Sequence, residues 1–196
     1  LILVILLSVA LADGARHAGA ASLSAILAAE DARAATAADL AVLVQGTASP
    51  DPLIQRTALR ALGRLERRDI VPNLLPHLRS PRPDLRTMAA FAVAQAMKGE
   101  PLAADAAGTQ VDAVLGALLT AAAAETDAVP LGELARSAAR LPFERREQVV
   151  RAESLLRQVL SLSKELSLSI RKPGDARAAL AGGIAGAEII ARRHSK

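Results

Sequence analysis

The stretch from Asp51 to Met97 constrains the fold more than any other part of the chain. Residues 53–63 (LIQRTALRALG) and 84–94 (DLRTMAAFAVA) carry one pattern. Ile54 answers to Leu85, Ala58 to Ala89, Ala61 to Ala92 and Leu62 to Val93. The offset is about thirty residues, the scale of a two-helix repeat. Each copy follows a proline turn, Pro50-Asp51-Pro52 or Pro81-Arg82-Pro83. Proline fits there because the first helical N–H groups have no intrahelical acceptor. Ile54, Ala58, Ala61, Leu62 and Leu65 recur at helical spacing on one face, with Arg60 on the outer face. Small alanines on the inner face let a neighbouring helix approach closely.

Between the copies, residues 69–78 (DIVPNLLPHL) read as the second helix of the unit, with Ile70, Leu74, Leu75 and Leu78 inward. Pro72 is tolerable near its start. Pro76 is not tolerable in a straight helix, so a kink or 3₁₀ turn is predicted there. A single helix pair cannot bury its apolar face; stacked pairs can. The predicted fold is therefore all-α, an α-solenoid of stacked helical hairpins. Composition agrees: alanine and leucine dominate, and Phe91 and Phe143 are the only aromatic residues.

The pattern resembles HEAT-like repeats, carried by Asp51-Pro52-Leu53-Ile54-Gln55-Arg56 and Ala61-Leu62-Gly63. The second copy departs from it, with Arg82-Pro83 in place of Asp-Pro and Ala94 in place of the glycine. The resemblance implies a fold more than a function, since such repeats serve scaffolds, adaptors and some enzymes.

Residues 1–12 are wholly apolar and end in Ala10-Leu11-Ala12, a small-x-small cleavage pattern. The run is short for a membrane span and suits a signal-peptide h-region whose upstream part is missing, with a buried core helix as the alternative. Residues 13–21 read as a linker, 22–141 as the repeat domain and 142–196 as a C-terminal helical extension of the same solenoid. Helices are predicted from Ser22 to Arg33, from Ala37 to Gln45 with Thr36 as N-cap and Gly46 as stop, from Val111 to Glu125, from Pro130 to Leu141, from Phe143 to Lys164 and from Ala176 to Arg193. Residues 135–141 (ARSAARL) echo 59–65 (LRALGRL) as a degenerate further repeat. Residues 161–170 alternate leucine and serine, and the helical reading is preferred because no partner strand is evident.

Few residues suggest chemistry. The chain has no cysteine, which excludes disulfides, thiolate metal sites and a cysteine nucleophile. His17, His77 and His194 stand far apart, so no metal site is expected. Glu30 and Asp31 are neighbours that face different ways on a helix and read as surface or capping charges. Ser161-Leu162-Ser163-Lys164 matches a Ser-x-x-Lys pattern without its companion motifs. Gly182 and Gly186 have the spacing of close helix packing and not of a phosphate loop. No catalytic residue and no cofactor are expected.

With 24 Lys and Arg against 20 Asp and Glu, the net charge is +4, spread at surface spacing. That lacks the aromatic stacking or dense basic stripe that a nucleic-acid partner would want. The partner expected is a protein or extended polypeptide, with no membrane partner once residues 1–12 are removed. In a solenoid the second helices line the inner surface, which makes His77 and Arg79 the candidate contacts.

A narrower resemblance rests on residues 27–33 (LAAEDAR), Asp39-Leu40 and Ser49-Pro50-Asp51-Pro52. Together these look like the N-terminal helical part of exported bacterial proteins in which HEAT-like repeats precede a cyclophilin-type peptidyl-prolyl isomerase domain. The resemblance implies a scaffold in the periplasm or cell envelope. It leaves open that the chain is the helical accessory portion of a larger isomerase, whose catalytic domain would lie outside these residues.

Overall fold

The computed structural model describes residues 21–102, 108–168 and 173–194, and among these every regular element is helical. The apolar run 1–12, the linker up to residue 20 and residues 169–170 of the Leu/Ser alternation lie outside them. The helices are α1 (Leu23–Asp31), α2 (Ala37–Gly46), α3 (Pro52–Arg64), α4 (Val71–Leu74), α5 (Pro83–Ala96), α6 (Thr109–Ala124), α7 (Ala128–Ala139), α8 (Arg146–Leu168) and α9 (Pro173–His194). Short 3₁₀ turns flank α4, at Arg68–Ile70 and Leu75–Arg79. The chain divides into two compact units, Leu1–Ala61 and Leu62–Lys196, with the division inside α3.

In the first unit the caps explain the helix starts. Ser22 Oγ accepts from the Ala25 N–H to open α1. Thr36 and Asp39 form a reciprocal capping box at α2, with Asp39 N–H donating to Thr36 Oγ1 and Thr36 N–H to Asp39 Oδ2. The predicted extension of α1 to Arg33 does not form. Arg33 and Ala34 adopt φ of 52° and 46°, and the Ala34 N–H turns back to the Ala29 carbonyl. Gly46 does not stop α2 from outside but is its buried last residue, with the Ile26 and Ala58 side chains where a Cβ would go.

One charged residue differs from the sequence reading. Glu30 is no surface charge: it is 8% exposed, and its Oε2 accepts from Arg60 Nη2 at 2.9 Å. Arg60 keeps the outer face, its side chain 43% exposed, and reaches back from there to the buried Glu30 carboxylate. Periodicity placed Ile26 inward correctly but not Leu27, which is 41% exposed, and a charged pair thirty residues apart leaves no periodic trace.

In the second unit, α5, α7 and α9 form one layer, while the 71–79 segment, α6 and α8 form the other, in the manner of an α-solenoid. Helix α7 is the hub, packing against α5, α6, α8 and α9. Nine of its residues are buried, from Ala128 to Ala139, so it has almost no outer face. It begins two residues earlier than predicted, and Pro130 falls in its first turn, where its missing N–H costs no helical bond. Small residues set the layer spacing. A Cβ on Gly63 would lie 2.6 Å from Ala92 Cα, and one on Gly132 would lie 2.7 Å from the Ala178 carbonyl oxygen. Gly182 in turn sits directly on the Gly132 backbone, and Gly186 faces Leu156, Ala135 and Ala139. The Gly-x-x-x-Gly spacing thus serves close helix contact, as its sequence suggested. Arg140 lies over the Phe91 ring at 5.7 Å, joining α7 to α5.

The repeat correspondence holds in burial at three of its four pairs, while Ile54 is half-exposed where Leu85 is buried. Ala58, Ala61 and Leu62 are fully buried, and so are Ala89, Ala92 and Val93. Helix α8 starts at Arg146, because Gln148 reaches back to accept from the Glu144 and Arg145 N–H groups. It continues through the Leu/Ser alternation to Leu168, and α9 begins at Pro173 instead of after Asp175.

Candidate functional site

A concavity with two walls lies in the second unit, between the 71–79 segment and α6. Its first wall follows from two prolines. Pro76 cannot donate toward the Pro72 carbonyl, and its ring would collide there, so the chain tightens into the 3₁₀ turn Leu75–Arg79. Val71, Leu74 and Leu78 stay buried, while Pro72, Pro76 and Arg79 turn outward. Leu75, expected inward, is instead half-exposed and faces the groove, because the tighter turn rotates it away from the core.

The second wall is α6. Ala117, Thr120, Ala121 and Ala124 recur at helical spacing, and all are short. A helix face of short side chains leaves space in front of it. The resulting groove holds about 510 Å³ beside Pro72, Leu75, Pro76, Leu78, Arg79, Ala117, Thr120 and Ala121. A further hollow of about 330 Å³ shares Leu78, Arg79, Thr120 and Ala121 with it and runs on to Arg86, Ala124 and Glu125. Volumes of this order receive one or two side chains of a ligand. A hollow of about 540 Å³ along residues 143–153 is comparable in size, but all its lining comes from one helix and the loop before it.

An ion cluster closes the far end of the groove. Arg86 Nε and Nη2 each donate to the Glu125 carboxylate at 2.7 Å, and Nη2 also reaches Asp127 Oδ2 at 2.7 Å. Its Nη1 donates to the Ser80 carbonyl at 2.9 Å. The Glu125 side chain is 2% exposed. Burial pushes its pKa up, but the Arg86 hydrogen bonds and the Thr126 and Asp127 N–H groups hold it below the usual carboxylate value.

The two contacts expected from sequence separate here. Arg79 stands on the wall common to both hollows and is exposed. His77 lines neither; it is half-buried, and desolvation lowers its imidazole pKa, which favours the neutral ring. Thr120 and Ala121 were missed, although their small-residue spacing was readable. The Arg86–Glu125 pair spans 39 residues and left no local signal. Among the described residues no three metal-ligating side chains converge, and no helix is long and apolar enough to cross a membrane.

Comparison with known proteins bears on the region that builds this groove. The family model described as HEAT repeats matches residues 40–129. Residues 40–129 are HEAT-like repeats. The HEAT-like stretch holds both walls of the groove and the Arg86 cluster, so the concavity belongs to the repeat architecture. The match bears on the repeat half of the resemblance and not on the isomerase half. No curated protein and no solved structure matches the chain.

Proposed function

We propose that the protein is a non-catalytic scaffold whose groove between the 71–79 segment and α6 binds an extended polypeptide. The observation that carries this reading is the two-walled groove itself, apolar along Pro72, Leu75, Pro76, Leu78, Ala117 and Ala121. Its walls are the second helices of consecutive HEAT-like pairs, the surface by which solenoids hold extended ligands. An extended segment suits it, because alternate side chains can enter the two adjoining hollows. The lining offers aliphatic surface, with Arg86 and Glu125 paired to each other at one end, which fits binding without turnover. The apolar run 1–12 supports an exported, cell-envelope setting for that role.

Titration of a fluorescein-labelled aliphatic dodecapeptide against the full chain tests this by anisotropy. Thr120 is exposed and lines both hollows, so Thr120→Trp fills the groove without disturbing the core. The variant is expected to keep its helical circular dichroism and to bind about tenfold more weakly, the loss of one good apolar contact. Equal affinity for both proteins would exclude the groove.

A further inference from the structure

We propose that the polypeptide held in this groove carries an acidic side chain next to its apolar anchor, and that Arg79 receives it. This rests on the groove reading and specifies its ligand. Each charge at the groove can be followed to a partner except one. Arg86 is committed to Glu125, Asp127 and the Ser80 carbonyl. Arg82, at the start of α5, pairs with Asp84 at 2.9 Å. Helix α6 contributes no charge to its groove face; Asp112, near its other end, pairs with Arg145 and Arg151. The Thr120 hydroxyl donates to the Gly116 carbonyl. Arg79 makes no ion pair among the described residues, yet it stands where the two hollows meet.

The groove therefore presents one uncommitted cation in an aliphatic setting. A guanidinium satisfies a carboxylate through two parallel N–H donors. Side chains on either side of that carboxylate would meet Leu75 and Pro76 in one direction and Ala121 and Ala124 in the other. A phosphate backbone could also meet Arg79, but neither Phe91 nor Phe143 lines the groove, so bases would find no stacking surface. The walls suit leucine or valine beside aspartate or glutamate.

Three labelled dodecapeptides, identical except for Glu, Gln or Lys at the centre, test the assignment on the full chain at low salt. The Glu peptide is expected to bind about fivefold tighter than the Gln peptide, the scale of an exposed ion pair, and the Lys peptide more weakly than either. High salt should narrow the difference. Arg79→Gln should remove the preference for the Glu peptide over the Gln peptide, and Arg79→Glu should reverse the order. Equal binding of the Glu and Gln peptides to the native protein, with both weakened by Thr120→Trp, would overturn the acidic preference and leave the groove reading standing. Insensitivity of both peptides to Thr120→Trp would overturn the groove and the inference together. A single-stranded oligonucleotide that displaces the Glu peptide and loses affinity on Thr120→Trp would overturn the polypeptide assignment.

Discussion

Gly182→Ala is expected to destabilise the second unit, although helix propensity alone would make the same change favourable by about 1 kcal/mol. The opposition comes from backbone. Gly182 of α9 lies on Gly132 of α7, so a Cβ meets main-chain atoms that cannot rotate aside. Inserting a methyl group into a closed contact costs about 1–3 kcal/mol, and an immovable opponent puts this case at the upper end. The net loss expected is therefore about 1–2 kcal/mol, and Gly182→Leu should lose more. Gly174 is the internal control: it lies in the first turn of α9 with nothing within 4 Å of its added Cβ, so Gly174→Ala should lose no stability and can gain part of the propensity difference. Urea denaturation of the three variants measures the differences. A gain in stability for Gly182→Ala would mean that α7 and α9 do not touch there.

Arg86→Met should cost about 3 kcal/mol, the scale of stranding one member of a buried ion pair. The methionine keeps much of the aliphatic stem but leaves the Glu125 carboxylate with the N–H groups of Thr126 and Asp127. Little of the loss comes from Asp127, whose side chain is 52% exposed. The pH dependence fixes the cause. Because Glu125 has a lowered pKa in the folded protein, the folded state binds fewer protons than the unfolded chain in mild acid. The stabilisation is thus complete above the unfolded carboxylate pKa and is lost as pH falls through the folded value. The difference between Arg86→Met and the native protein should accordingly be largest near neutrality and shrink in acid. A difference independent of pH would assign the loss to packing alone.

The fold was legible wherever one side chain per turn decides it. The repeat from Ile54 to Val93 placed the buried faces of α3 and α5, and the Thr36 cap and Pro76 turn follow from single residues. Helix ends were less legible. Arg33 and Ala34 take left-handed φ values that no local glycine announces, and Gln148 sets the start of α8 by reaching back to residues 144 and 145. Long-range charge was not legible at all. Glu30 and Arg60, like Arg86 and Glu125, lie far apart in sequence and meet only because helices stack. The candidate site divides in the same way. Of the two residues named on the second helix, Arg79 lines both hollows and His77 lines neither. The opposing wall depends on which helix comes next in the stack, so Thr120 and Ala121 were recognisable only as a small-residue face without a known neighbour.

The most direct measurement is a photo-crosslink from the ligand itself. An aliphatic dodecapeptide with benzophenone at its centre is irradiated on the full chain, and the attachment sites are read by tandem mass spectrometry. Attachment within residues 72–80 and 117–126, suppressed by Thr120→Trp, is the expected result. Attachment concentrated along residues 143–153 or on α9 would contradict the groove as the binding surface.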